Sequence, residues 1–410
     1  MASVRAGRPD KTEVPRFDGE LVHRRGRRQQ IVDAAFECLA VGEFDRIKID
    51  DVARTAGLAK ATLYRYFASK EALYSIVLRE WSDAHDLRTT SAAGPERARM
   101  RAHSKIDAFA DSQQFFRLAV ALFSSSDAVV KAELSSVGAR TYHYFRDDFA
   151  DLTRVTPHDA AIIMQAIVHS AVMAAVYHGA AFADAHHLVD QVVRLVVGSP
   201  VSPTAGDHVV NTGARVAMSA EMPAFKRRRR QQIVDCAKES LRANPYEKIH
   251  VSNVAQDADV ALGTLYRYFP SKEALYAEVI RDWFSSSGFS SSLDDLPAES
   301  RVRVRIRVAL DAFEADPEFF RVNVLLHSIG DELVQPVLGE VIASARAMFI
   351  RDLSALGVPN PADAATMLWS LLGSLTTGVV SYNRTFPEAR RVAEVFATLI
   401  VTSADGGTEN

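Results

Sequence analysis

The stretch from Arg27 to Trp81, RRQQIVDAAFECLAVGEFDRIKIDDVARTAGLAKATLYRYFASKEALYSIVLREW, returns about two hundred residues later. It reappears as RRQQIVDCAKESLRANPYEKIHVSNVAQDADVALGTLYRYFPSKEALYAEVIRDW, from Arg229 to Trp283. The copies align without a gap, and roughly 30 of about 55 positions are identical. Self-similarity at this level restricts the chain to one folding unit written twice. Agreement peaks at TLYRYF and SKEALY, Thr62–Tyr74 and Thr264–Tyr276.

Each copy reads as helices around a tight turn. Ile31, Ala35 and Leu39 recur at four-residue spacing, as do Ile233, Ala237 and Leu241, which gives one apolar helical face. Gly42 ends the first of these helices and Asn244-Pro245 the second. A short helix follows, turning Ile49, Val52 and Ala53 inward, or Val251, Val254 and Ala255. Gly57 then breaks the chain; its counterpart Asp259 is a residue that tolerates a left-handed backbone. The next helix is expected over about Lys60–Phe67 and Leu262–Phe269, and Ser69 and Ser271 are placed to cap the one after it. Two short helices around a tight turn, braced on both sides, form the pattern of a helix-turn-helix.

The chain stays helical beyond Trp81. PERARMRAHSKIDAFADSQQFFRLAVALF and PAESRVRVRIRVALDAFEADPEFFRVNVLLH form a second, weaker pair whose register is kept by shared DAF and FFR triplets. Two long apolar helices follow, AAIIMQAIVHSAVMAAVYH and AATMLWSLLGSLTTGVVSY, each trailed by a shorter amphipathic one. Nothing reads as a sheet, so the fold class is all-α, as two tandem units. The expected domains are a disordered arm over 1–22, DNA-binding heads at 23–84 and 224–286, and helical regulatory domains at 85–198 and 287–402. A Gly/Pro/Ser-rich linker occupies 199–223 and a flexible tail 403–410. A linker stretch of about 28 residues spans ~90 Å when extended, enough for the second copy to turn and face the first.

At 410 residues, 48% hydrophobic and 24% charged, the chain has material for two to four cores. No run of ~18 uncharged apolar residues suggests a membrane span, and the charged N-terminus lacks an apolar signal core, so the cytoplasm is the expected compartment. Cys38 and Cys236 sit at non-equivalent places and read as small buried hydrophobes; alone they cannot make a zinc site. The net charge of −3 excludes a chain that is basic throughout. Yet HRRGRR (His23–Arg28) and KRRRR (Lys226–Arg230) each stand directly before a copy of the repeat, the footprint of a polyanion-binding arm.

At AGLAKATLYRYFASKEAL the sequence resembles the TetR (tetracycline-repressor-like) family of bacterial transcriptional regulators. The resemblance covers the N-terminal third of each half. It implies a repressor that binds double-stranded DNA, pairs through its last two helices, and releases an operator when a small-molecule effector enters the helical domain. Two protomers would here be fused as an intrachain pseudo-dimer, with a bundle built from about Pro157–Val197 and Pro361–Thr402; pairing of two chains stays open. By resemblance, Thr62, Tyr64, Tyr66 and Lys70 fall on phosphate-contacting positions, as do Thr264, Tyr266, Tyr268 and Lys272. The tyrosines could instead pack inside the head, and Arg65 and Arg267 could face DNA or solvent. Leu63, Phe67, Leu73 and their counterparts Leu265, Phe269 and Leu275 are assigned to core. The arm arginines Arg27, Arg28, Arg227, Arg228, Arg229 and Arg230 complete the expected DNA contacts.

The copies differ where bases would be read. Lys60 and Ala61 become Leu262 and Gly263, and Asp50-Asp51 becomes Ser252-Asn253. A lysine donates to guanine acceptors, whereas a leucine touches a thymine methyl or nothing. Two unlike half-sites are therefore expected, with the second head gripping harder; the alternative is an interaction protein in which only the second head binds DNA. Lys48 and His250 stand where a capping hydroxyl is usual, and Ala59 and Ala261 where a serine is.

His143, His158, His169, His178, His186 and His187 crowd the first helical domain, while the second keeps His327. They could mark a one-sided ligand or metal site, or be surface and hydrogen-bonded core residues; their spacings match no metal motif. Phe109, Phe116, Phe123, Met164, Met173 and Tyr177 are core or pocket wall. Ser124–Ser126 with nearby acids and histidines lacks a nucleophile elbow or phosphate loop, so an enzyme is not expected and no cofactor is called for.

Overall fold

The computed structural model describes residues 17–85, 91–123, 125, 127–199, 223–329, 331–382 and 384–405. Among these, helices α1 (Phe17–Val41), α2 (Ile49–Thr55), α3 (Lys60–Tyr66), α4 (Lys70–Ala84), α5 (Gly94–Asp111), α6 (Gln113–Phe123), α7 (Ala128–Asp148), α8 (Pro157–Tyr177) and α9 (Phe182–Val197) form the first half. The second half contains α10 (Ala224–Ala243), α11 (Val251–Asp257), α12 (Leu262–Tyr268), α13 (Lys272–Ser286), α14 (Ala298–Ala315), α15 (Pro317–Ser328), α16 (Gln335–Ser354), α17 (Pro361–Tyr382) and α18 (Phe386–Asp405). Short 3-10 turns, Phe44–Arg46 and Tyr246–Lys248, precede α2 and α11, and the described residues contain no strand. The chain divides into two compact units at Val77/Leu78.

In the first unit the periodic residues of α1 are the core: Ile31 and Ala35 are fully buried, and Leu39 nearly so, against Val52, Leu63, Leu73 and Tyr74. The Tyr74 hydroxyl donates to the Ala35 carbonyl at 3.3 Å. The second copy repeats this arrangement inside the larger unit, with Tyr276 donating to Ala237 at 3.4 Å. Gly57 turns the chain at φ 63°, and Asp259, at φ 51°, is the one non-glycine residue of positive φ among those described. Ser69 and Ser271 cap α4 and α13, accepting from the amides of Ala72 and Ala274 at 3.0 Å.

Three expectations change. Residues 17–22, placed in the disordered arm, are helical; no proline follows Pro15 until the helix is long finished, so nothing stops it from starting at Phe17. At the other end α18 runs on to Asp405, into the expected tail, up to Gly406-Gly407. Residues 1–16, 200–222 and 406–410, with the rest of the expected arm, linker and tail, lie outside the described residues, as do Ser124 and Ser126. The cysteines are half-buried rather than core; Cys38 faces the seam between α1 and α2, its Sγ 3.6 Å from Thr55 Oγ1. In addition, α8 is long and apolar enough to cross a membrane by length and composition, but 61% of its most apolar window is buried among other helices.

The second unit is built on buried ion pairs and a central helix contact. Arg305 on α14 pairs with Asp352 on α16, both essentially without solvent exposure. At the equivalent place in the first half, Asp148 on α7 is paired with Arg97 and with Arg101 on α5. α8 and α17 pack side by side. There Ser170 Oγ donates to the Ser370 carbonyl at 2.9 Å, Ser374 Oγ donates to the Ala166 carbonyl at 3.0 Å, and the two hydroxyls lie 2.8 Å apart. In the register set by the FFR triplets, Ser170 and Ser374 are counterparts, as are Ala166 and Ser370, so the two bonds exchange with each other. Polar contacts flank this seam: His187 to Asp363 at 2.6 Å, Arg391 to Asp159 at 2.6 Å and His158 to Glu388 at 3.2 Å.

Candidate nucleic-acid interface

The seven residues of α3 and α12 divide by face. Leu63 and Leu265 are buried together with the following Phe67 and Phe269, as expected. On the opposite face Tyr64 and Tyr266 are 48% and 43% exposed, with Arg65 and Arg267 exposed beside them. Thr62, Tyr66, Thr264 and Tyr268 are half-buried at the edges of this stripe. Arg65 leans over the ring of Tyr66, 5.8 Å from its centroid.

At the N-terminal ends the copies diverge. Lys60 Nζ lies 2.9 Å from Asp50 Oδ2, both side chains about half exposed, so the lysine expected to read bases carries its own counter-ion. This partner raises the lysine's pKa, through the hydrogen bond first. The neighbouring acid Asp51 accepts from the Lys48 amide at 3.2 Å and thus fulfils the N-terminal role that no side-chain cap performs. In the second head Leu262 is 42% exposed, Gly263 faces open space, and Ser252 and Asn253 replace the acids. Ala61 is exposed in the corresponding first position.

The lysines assigned to phosphate are turned inward. Lys70 donates to the Phe44 carbonyl and sits 4.2 Å from that ring's centroid. Lys272 donates to the carbonyls of Tyr246 and Ile249 at 2.6 and 2.9 Å and sits 4.0 Å from the Tyr246 ring. Burial lowers both pKa values. Each lysine therefore ties the start of its helix to the 3-10 turn two helices earlier. The arm arginines split in the same way. Arg28 lies over the Phe67 ring, and Arg230 over Phe269 with its guanidinium 2.7 Å from Glu278. Arg229 donates to the Asp259 carbonyl at 3.2 Å while staying exposed; Arg227 and Arg228 are exposed, and Arg27 is half-buried.

Two cavities of the larger unit lie at corresponding places in the two halves. One, of about 180 Å³, is walled by Trp283, Phe284, Phe313, Phe320 and Trp369, with His178, His327 and Arg346 among its polar lining residues. The other, of about 350 Å³, lies among α6, α7, α8 and α17. Their linings correspond: Ser135, Gly138 and Tyr142 of α7 stand where Gly339, Ile342 and Arg346 of α16 stand, and Gln165 and His169 of α8 where Trp369 and Gly373 of α17 stand. His169, Ser374 and Thr377 border both. The histidine-rich region is thus not one site. His158, His186 and His187 are spent on Glu388, Asp107 and Asp363. His169 and His178 face cavities, and burial holds both near a pKa of about 4. No group of three or more metal-ligating side chains occurs among the described residues.

The family model described as "Bacterial regulatory proteins, tetR family" matches residues 31–76 and again residues 233–279. The chain is a TetR-family protein with the family's N-terminal module present twice. The HTH-type transcriptional repressor KstR of Mycobacterium tuberculosis (strain ATCC 25618 / H37Rv) is 38% identical over 155 residues, 38% of this chain and 62% of that protein. The HTH-type transcriptional regulator EthR of Mycolicibacterium smegmatis is 29% identical over 93 residues, 22% of this chain and 43% of that protein. The chain therefore spans less than two thirds of the length of these curated relatives. Among solved structures, a TetR transcriptional regulator from Rhodococcus sp. RHA1 aligns at 17% identity and a TM-score of 0.36, over 44% of this chain and 99% of that one. Within this TetR-family chain, sequence reasoning missed the Asp50–Lys60 pair. The joint exchange of both residues between the copies, to Ser252 and Leu262, was the available signal.

Proposed function

We propose that the chain is a sequence-specific transcriptional regulator of double-stranded DNA, a repressor that a small-molecule ligand releases from its operator. The observation that carries this reading is the repeated stripe on α3 and α12, where tyrosine and arginine face solvent on a short helix anchored from behind by leucine and phenylalanine. Such a helix suits a major groove, with phosphate contacts at its flanks and base edges at its N-terminal end. The site residues are those expected from sequence, with Lys70, Lys272, Arg28 and Arg230 acting by holding the heads in shape. The two heads would read unlike half-sites, because Lys60 faces bases from beside Asp50 and Leu262 does so without an acid.

The exchange of bonds between Ser170 and Ser374 supports an intrachain pseudo-dimer, since a two-fold contact brings the same patch of each half together. A route from cavity to head is also available. α15 lines the smaller cavity with Phe320, Val324 and His327. The same helix holds the second head, through Glu318 accepting from the Tyr246 amide at 2.7 Å and Arg321 pairing with Glu247 at 2.7 Å.

Selection of binding sites from a random duplex pool, with the mass of the resulting complex, tests the reading. Two unlike half-sites on one chain are expected. A symmetric site holding two chains would favour the second reading, in which only the head with Leu262 binds DNA. No enrichment would sink the DNA-binding function.

A further inference from the structure

We infer that the cavity of the second half binds one small, mostly apolar monoanion, of the aromatic carboxylate class, with Arg346 as its counter-ion, and that the first-half cavity does not. The inference rests on the effector reading above and names the chemistry of its ligand.

The size and the walls set the apolar part. An apolar cavity of roughly 150 Å³ holds benzene, so about 180 Å³ walled by two tryptophans and three phenylalanines suits a single ring with a short substituent. The polar side sets the charge. Among the described residues Arg346 has no ion-pair or hydrogen-bond partner, and its Nε is buried without one. Asp363 is the acid in electrostatic reach, but its carboxylate accepts from Asn360 and lies against His187, each at 2.6 Å. A guanidinium does not shed its proton, so this half-buried charge beside an apolar wall favours an anion as its partner. A carboxylate matches its forked donors. His327, only 9% exposed, has an unpartnered Nδ1 on the same cavity, 4.7 Å from the His178 ring. Burial keeps both imidazoles neutral, so they offer an N–H and no second positive charge.

The first half lacks each of these features. Tyr142 replaces Arg346 and its hydroxyl is engaged by His158 at 2.6 Å. Gln165 replaces Trp369 and donates to the Gly138 carbonyl at 2.9 Å. Phe123 replaces His327. The cation on that cavity, Arg384, has Glu388 3.7 Å away.

The test is calorimetric titration of the full chain, without DNA, by phenylacetate, 2-phenylethanol and 2-phenylethylamine, which share one skeleton. One phenylacetate per chain is expected, bound roughly tenfold or more tighter than the alcohol, with no binding of the amine. Arg346→Met should abolish the preference for acid over alcohol while the alcohol still binds; Arg346→Lys should keep part of it. Equal affinity for acid and alcohol in the unaltered chain, two equivalent acid sites, or no binding of any probe would overturn the inference, whether or not Arg346→Met folds. An acid that binds and leaves the DNA complex intact would instead overturn the release reading alone.

Discussion

Asp50 is the residue on which the difference between the heads turns. It pairs with Lys60 in the open, where such pairs are weak, and it places a negative charge where a phosphate would pass. Asp50→Ser, the residue of the second copy, should tighten DNA binding roughly tenfold at low salt and steepen the salt dependence by about one contact. Anisotropy titrations across a salt series read both, and an unchanged slope would mean the first head does not touch the backbone there. A second residue reports on pH. His169 packs between Phe116 and Phe123, and burial, with Lys105 adding to it, brings its pKa from 6.5 to about 4. The unfolded chain takes up that proton below about pH 6.5 and the folded chain only near pH 4, so stability falls as pH drops through this window. The loss should be on the order of 2 kcal/mol by pH 5, and His169→Phe should flatten it in melting curves taken between pH 7 and 5. Parallel curves for the two proteins would reject the assignment. At this scale the sequence was legible for what packs locally: Leu63, Phe67 and their counterparts were assigned to core from pattern alone. The inward turn of Lys70 and Lys272 was not, because their acceptors are carbonyls some 26 residues earlier in the chain, Phe44 and Tyr246, and backbone acceptors leave no mark in composition.

Among the elements, caps and turns were readable because their chemistry is local: Ser69 and Ser271 at helix starts, Gly57 and Asp259 at the turn. What ties one helix to another was not. Arg305 and Asp352 join α14 to α16 in full burial, with a further bond from Arg305 to the Phe289 carbonyl. Removing one partner of such a pair leaves a buried charge, so Asp352→Ala should cost about 3–5 kcal/mol, whereas Arg305→Met with Asp352→Leu should recover most of it. Thermal melting of the two variants decides; an Asp352→Ala chain that melts like the original would show that the pair carries no weight. Its counterpart, Arg101 with Asp148, stands at the same register of the repeat in the first half.

At the scale of the molecule, the duplication made the all-helical class and the two tandem units plain, since a period of this length leaves few alternatives. The cavities were beyond the sequence: they exist only where α7 meets α8 and α16 meets α17, and their contents depend on substitutions such as Tyr142 for Arg346 that look neutral in an alignment. The contact between Ser170 and Ser374 has a consequence of another kind. Both serines belong to one polypeptide, so their meeting is a unimolecular event that dilution cannot undo. On the pseudo-dimer reading proposed above, a single copy of the chain would hold both sides of the bundle. Nor must the two sides of the contact share a gene sequence, as the sides of a homodimer do: each half is free to drift, and Gln165 opposite Trp369 records how far it has gone.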